Sequence, residues 1–385
     1  MRRKTRRYFV NLIFFGSALS LIIYLNRHQS NDKTFAWTTI RYKTTSTTLP
    51  QARGTCPGLE NSSKPALVVS RVAADGDPKW LDPLTNLYHL CIYTADAAAS
   101  SASPNLQVPA NRGHEAMAYL TFLIDNYADI PAAGAVFVHG SRRAWHNDAP
   151  NYDNAALLAA LNVSAALAPS GYHNLRCDWS ASMCEPSYAP PQGSLEISLS
   201  AMVEPWNARA VSDAALPGAL GALFGGDEPA PSDGARVLLG RTDAVRAQCC
   251  AQFVVARDRV WQHSRDEYVA LRQWLLDGSN DGHSDESSSP IRNVAPRDDR
   301  VAGRILSYLW HILFLQQEQS SSPGVEGGVG LERLNTMACP RADDCYCRLY
   351  GRCNLRGCET PGHCHGQYVL PPDFRLPDDW TAAPL

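Results

Sequence analysis

Tyr8 to Leu25 is an 18-residue apolar run, interrupted only by Asn11, Gly16 and two serines. A run of that length lies near the lower limit for crossing a bilayer as a helix. Arg2, Arg3, Lys4, Arg6 and Arg7 precede it, whereas Arg27 and His28 are nearly alone behind it. That asymmetry holds the basic end in the cytosol and carries everything after residue 25 across the membrane. A cleaved signal peptide is the rival reading, but no convincing small-residue cleavage site follows the run, so an uncleaved anchor is expected. A short span suits the thinner membranes of the early secretory pathway. The expectation is a single-pass type II protein of the Golgi or ER membrane with a lumenal body.

A lumenal body changes how the rest of the chain reads. Twelve cysteines, an even number, become a disulfide framework. Asn61-Ser-Ser63 and Asn162-Val-Ser164 become usable N-glycosylation sequons. The formal charge of −3 includes five basic side chains in the first seven residues, which leaves −8 on the remainder. A body of that sign has no electrostatic reason to bind nucleic acid.

Residues 1–28 are therefore tail and anchor. Residues 29–64, polar and rich in Ser and Thr, read as a stem, with no apolar period to bury. Order is expected from 65 to 318, where strand-like apolar runs (Ala66–Val72, Tyr88–Thr94, Gly134–Val138, Cys249–Arg257) alternate with amphipathic helices. The clearest helix lies in 111–127, with Ala116, Tyr119, Leu120, Leu123 and Tyr127 on one stripe. Asp77-Pro78, Asp153 and the capping box Ser264-Arg-Asp-Glu267 mark other helix starts. Segments 187–235 and 279–300 read as low-complexity insertions and 319–330 as a linker. Residues 331–370 form a Cys-rich module, and 371–385 a tail. Alternating strands and helices point to an α/β sheet with helices on both faces plus a small disulfide-rich C-terminal module. Cys177 and Cys184 are close enough to pair locally, whereas at least one of the adjacent Cys249 and Cys250 is expected to reach elsewhere.

Several chemistries drop out. His114-Glu115 starts like a zinc-protease helix, but the second His should stand at 118, which is Ala. There is no G-x-S-x-G elbow, Walker loop or G-x-G-x-x-G fingerprint. Two places keep functional interest. Asp75 and Asp77 follow the first strand as a D-x-D, although Asp77 also serves as a helix cap. His139, His146 and Asp148 follow the strand Gly134–Val138, with Arg142 and Arg143 available for phosphate. The plainer alternative there is a solvated loop with Trp145 packed into the core.

The segments VVSR, KWL, NRGHEAMAYLTFLIDNY, VFVHG, WHND, GYHNLRC, CCAQFVVARDRV, YVALRQWLL, GRILSYLWHILF and CYCRLYGRC carry a resemblance. The chain resembles an uncharacterised fungal family of type II membrane proteins, a domain-of-unknown-function family, over roughly residues 66–370. The strand ending Phe-Val-His-Gly is also similar to sugar-transferring enzymes of the GT-A type, which are Rossmann-like. Those usually place a metal-binding D-x-D at that strand end, where this chain has His139-Gly140. The resemblance implies a lumenal glycosyltransferase that moves a sugar from a nucleotide-sugar donor to a glycan, glycoprotein or glycolipid acceptor. In that reading Arg71, Asp75, Asp77, Arg112 and Arg142 cradle the nucleotide. His139, His146 and Asp148 are catalytic and hold a divalent cation, Mn or Mg, or the leaving diphosphate. The alternative is a non-catalytic, membrane-anchored surface or matrix protein that binds a partner through its Cys-rich module.

Overall fold

The computed structural model describes residues 3–25, 33–43, 53–96, 106–226, 236–278, 294–315 and 328–369. Helix α1 (Arg3–Leu25) contains the apolar stretch Arg6–Tyr24, long and apolar enough to cross a membrane. The segment expected to be a stem is instead partly folded into the body. Strand β1 (Thr34–Phe35) pairs antiparallel with Val329–Gly330 near the other end of the chain. Phe35 and Trp37 are fully buried, and the Ile40 amide donates to Glu267 Oε1 at 2.9 Å. Two aromatics two residues apart in a polar stretch are too few to show a helical or strand pattern, yet burying them outweighs the local propensity.

The body then runs β2 (Ala66–Arg71), a 3-10 helix (Pro78–Asn86), β3 (His89–Thr94), β4 (Leu106–Gln107), α2 (Glu115–Asp125) and β5 (Ala135–His139). Next come α3 (Asn154–Ala160), α4 (Val163–Leu167), β6 (Tyr172–Asn174), α5 (Leu195–Val203), α6 (Ala208–Phe224) and β7 (Phe253–Val255). The chain closes with α7 (Arg257–Val260), α8 (Arg265–Asp277), α9 (Asp299–Ser307), α10 (Trp310–Phe314), β8 (Val329–Gly330), α11 (Leu331–Ala338) and α12 (Ala342–Tyr350).

Six strands form a mixed sheet in the order β4-β3-β2-β5-β7-β6. β2 is parallel to β3 and β5, whereas β7 is antiparallel to both β5 and β6. β2 reads as a continuous apolar run because both of its faces are covered. Ala66 and Val68 join a core with α2, α8, α9 and α10, while Leu67 and Val69 face the 3-10 helix, α3, α4 and α12. The coarse expectation of an α/β sheet with helices on both faces therefore holds.

The expected insertions are partly structural. Within 187–235, α5 and α6 form a helical pair, and Leu216, Leu220, Leu223 and Phe224 enter the main core. Of 279–300, residues 294–300 pack against the body, with Ala295 buried; residues 227–235 and 279–293 lie outside the described residues, as does the tail. The C-terminal cysteines do not make a separate module. Cys345 bonds Cys177 and Cys339 bonds Cys184, so the expected local Cys177–Cys184 bridge is replaced by two long-range ones. α12 lies on the second sheet face, and Tyr346 and Leu349 are buried there with Leu67 and Val138. Cys347–Cys353 and Cys358–Cys364 close local loops, Cys56–Cys91 ties the segment before β2 to β3, and Cys249 bonds its neighbour Cys250, against expectation.

Candidate functional site

β2, β5 and β6 end at one edge of the sheet, and β7 begins there. The chain leaves β2 outward to β3 and β4, then returns to β5 on the other side of β2. In open α/β sheets ligands gather outside the carboxyl ends of strands at such a reversal. The tips of β2 and β5 touch across it. A Cβ on Gly140 would fall onto Arg71 and within 2.7 Å of Asp75 Oδ2, so only glycine fits. Ser141 Oγ then donates to Asp75 Oδ1.

β5 delivers His139, in register with Ser70 of β2. The His139 amide donates to Gln252 Oε1 at 3.1 Å, and its ring Nε2 lies 2.7 Å from the Cys250 carbonyl oxygen. A carbonyl only accepts, so Nε2 is the donor in this contact and Nδ1 is the ring nitrogen it leaves over. The turn that aims this carbonyl places Cys250 at φ 141° and Ala251 at φ 53°. Non-glycine residues in that region cost roughly 1–3 kcal/mol each and cluster where function needs them.

The loop after β5 carries His146, whose ring lies 4.3 Å from that of His139. Burial, then the neighbouring His139 and Arg176, push the His146 pKa down to about 2. The ring is neutral at physiological pH, and its Nε2 is buried without a partner. Trp145 stands edge-on to it at 5.6 Å and is half exposed rather than packed into the core. Arg176, just beyond β6, donates to the Trp145 carbonyl at 3.1 Å and to Ser180 Oγ at 3.2 Å, leaving Nε without a partner. Arg143 Nε and Asn154 Oδ1 complete a group of four buried, unpartnered polar atoms along this edge. Such atoms are rare in folded proteins, and each calls for an explanation. Three of them are nitrogens on Arg143, His146 and Arg176, groups that can donate to an anionic oxygen, although Arg143 also lies 3.9 Å from Asp153 and Arg176 3.6 Å from Asp178.

The other expected site residues have different duties. Asp148 is 1 % exposed and accepts from the amides of Cys177 (2.5 Å) and Asp178 (3.3 Å), from Tyr346 Oη (2.8 Å) and from Tyr368 Oη. Its oxygens are saturated, so it is a structural acceptor joining the β5 loop to the C-terminal segment. Arg112 is buried and donates to the carbonyls of Leu275, Pro296 and Arg297 and to Asp299. It clasps residues 296–299 against α8 instead of reaching the sheet edge. Arg142 is paired with Asp153 at 3.0 Å, and Asp77 caps the 3-10 helix through the Lys79 amide. Arg71 Nη2 donates to the Gly76 carbonyl at 2.5 Å, and Asp75 Oδ2 accepts from the Val72 amide at 2.8 Å.

His139, His146 and Asp148 do not converge as a set of three ligands for a divalent cation. Among the described residues the three-ligand group is Cys56, His89 and Cys91, and there the two sulfurs are joined to each other. Sequence reasoning missed Ser141, Asn147, Arg176, Cys250 and Gln252. Gln252 Nε2 donates to Asn147 Oδ1 at 2.9 Å, and Gln252 Oε1 also takes Asn154 Nδ2 at 3.3 Å, which fixes the loop beneath the two imidazoles. The available signal was position: Ser141, Arg176, Cys250 and Gln252 lie within three residues of a strand end, and Asn147 lies further along the loop after β5.

The model of a family described as Protein of unknown function (DUF3431) matches residues 67–348. No curated protein and no solved structure matches the chain.

Proposed function

The chain belongs to the DUF3431 family, and we propose that it is a membrane-anchored lumenal glycosyltransferase acting on a nucleotide-sugar donor. The observation that carries the reading is the pair of unpartnered nitrogens of His146 and Arg176 beside the strand reversal, with a third, on Arg143, in the same loop as His146. A diphosphate brings several anionic oxygens to match them, and arginine recognises that geometry well. The strand order, with parallel β3-β2-β5 and a reversed β7, suits a nucleotide seated over the ends of β2 and β5.

In this reading the sugar's bond to the diphosphate breaks as a bond to an acceptor hydroxyl oxygen forms. His139 Nδ1 takes the acceptor's proton, since its Nε2 is held by the Cys250 carbonyl. Neutral His146 donates a hydrogen bond from Nε2, and Arg143 and Arg176 balance the charge on the departing diphosphate. Trp145 offers a flat apolar face for a sugar ring. The donor set does not suit a resident Mn or Mg ion at His139, His146 and Asp148, so no step is assigned to one. The acceptor is a glycan, glycoprotein or glycolipid within the Golgi or ER lumen.

Thermal unfolding of the detergent-solubilised full chain with UDP, GDP and CMP, each with and without Mn²⁺, tests the proposal. At least one nucleotide should raise Tm by 2 °C or more at about a hundred times Kd, with little added by Mn²⁺, and Arg143→Gln should remove the shift. No response to any nucleotide at millimolar concentration would sink it. A non-catalytic binding protein is the second reading, favoured by the internal partners that occupy Asp75, Asp148 and Asp153. Nucleotide binding without hydrolysis or transfer of any nucleotide sugar would decide for it.

A further inference from the structure

Helix α5 (Leu195–Val203) buries Ile197 but leaves Leu195, Leu199, Met202 and Val203 between 52 % and 69 % exposed. Trp206, three residues further, is 73 % exposed. Leu195, Leu199 and Met202 fall at i, i+4 and i+7, so they form one stripe rather than scattered exceptions. A contiguous apolar surface of this kind marks a partner or a membrane.

The position of the stripe favours the membrane. Gly193, just before α5, packs so closely that a Cβ there would lie 2.5 Å from the Gly240 carbonyl oxygen. The Gly240 amide donates to Asp243 Oδ2 at 2.7 Å, and Asp243 Oδ1 takes the ammonium of Lys33. Arg236 donates its amide to the Thr34 carbonyl at 3.2 Å, and Leu238, 60 % exposed, lies over Gly221 of α6. The stripe thus adjoins the point where the body begins after the anchor. About eight peptide steps join Leu25, the end of α1, to Lys33, so even a fully extended connection spans at most about 29 Å. With α1 across the bilayer, this flank of the body stays within that reach of the lipid.

We propose that the α5 stripe, ending in Trp206, seats in the headgroup–acyl boundary of the membrane that α1 crosses. The inference rests on the reading of α1 as a spanning helix. Tryptophan and long aliphatic side chains are the groups that settle at that depth. Glu196 on α5 and Glu204 just after it, and Arg236 and Arg241 near Leu238, carry opposite charges, which suits a zwitterionic surface better than an anionic one.

The test uses the full chain in phosphatidylcholine vesicles with and without bromine on the upper acyl carbons. α1 contains no tryptophan, so the span itself contributes no quenchable signal. Bromine should quench the wild type, and Trp206→Phe should cut the quenched fraction at least twofold. Leu199→Glu/Met202→Glu should abolish Trp206 quenching and raise amide exchange over 195–206 at least tenfold while the protein still resists carbonate extraction. Extraction of the wild type by carbonate would overturn the anchor, and with it the inference. Retention with no Trp206 quenching would overturn the inference alone. Protection of α5 that tracks a cross-linked dimer instead of lipid would assign the stripe to a second copy and likewise overturn it.

Discussion

Ser141 Oγ and Asp75 Oδ1 meet at 2.5 Å, joining the tips of two adjacent parallel strands across the reversal in the sheet. Gly140 is what lets them meet, because any Cβ there strikes Arg71. Gly140→Ala is expected to force the strand ends apart and cost about 1–3 kcal/mol, the usual range for overpacking. Ser141→Ala removes one hydrogen bond and should cost only about 1 kcal/mol. Chemical denaturation of both variants checks the order, and equal losses would contradict the close-approach argument.

Asp148 was expected to act on the ligand and is instead a hub with four donors. Asp148→Ala should destabilise the protein by roughly 3 kcal/mol, since two buried amides and two tyrosine hydroxyls would lose their acceptor. Loss of any activity in this variant should track loss of folded protein in circular dichroism. Full stability with abolished activity would restore Asp148 to the chemistry.

Trp145 is 45 % exposed, so Trp145→Ala should change stability by no more than about 1 kcal/mol, against the roughly 3–5 kcal/mol of a fully buried tryptophan. If its face holds a sugar, nucleotide-sugar affinity should fall at least tenfold while affinity for the nucleotide alone stays within twofold. Isothermal titration with both ligands separates the two effects.

Burial lowers the pKa of His146 to about 2, of His311 to about 3 and of His173 to about 4. In the unfolded chain each titrates near 6.5. Between those limits the unfolded state holds more protons, so stability falls as pH drops below about 6.5, by up to about 1.4 kcal/mol per imidazole per pH unit. Neither nitrogen of His311 has a partner. His311→Leu should therefore raise the denaturant midpoint at neutral pH and shrink the acid slope by about a third of the three-imidazole total. Denaturant midpoints between pH 7 and pH 5 supply both numbers.

The bridges Cys177–Cys345 and Cys184–Cys339 span 168 and 155 residues. Removing the second with Cys184→Ser/Cys339→Ser should cost about 3 kcal/mol by loop entropy, because Cys177–Cys345 still closes the long loop and leaves only a short one to the second bridge. Peptide mapping of the unreduced protein should recover both pairs, and a Cys177–Cys184 peptide would refute the connectivity.

Local signals located much of this fold. The apolar runs became β2, β3 and β5, and Asp77, Asp153 and Ser264 cap the helices expected after them. Long-range pairing was not legible: nothing near Cys177 distinguishes Cys184 from Cys345, because the choice depends on where α12 docks. The aromatics Phe35 and Trp37 lacked a period for the same reason, since their partners lie about two hundred residues away or more. At the candidate site, the sequence placed His139 and His146 together after a strand end, and their rings do adjoin. It missed Arg176 and Gln252, which reach the same edge from β6 and β7, strands of three residues each. It also assigned chemistry to Asp148, because ionisable type in a loop says nothing about how many donors the fold will supply.

The pairing of Thr34–Phe35 with Val329–Gly330 has a consequence for biosynthesis. The chain emerges from its first residue onward, and the strand that follows α1 waits for a partner almost three hundred residues behind it. Cys177 and Cys184 wait as long as it takes for Cys345 and Cys339 to appear. At about 5–20 residues per second that interval is at least several seconds. Through it, unpaired thiols and uncovered aromatics remain open to oxidoreductases and chaperones, so truncation near the C-terminus should trap the nascent protein before its body ever closes.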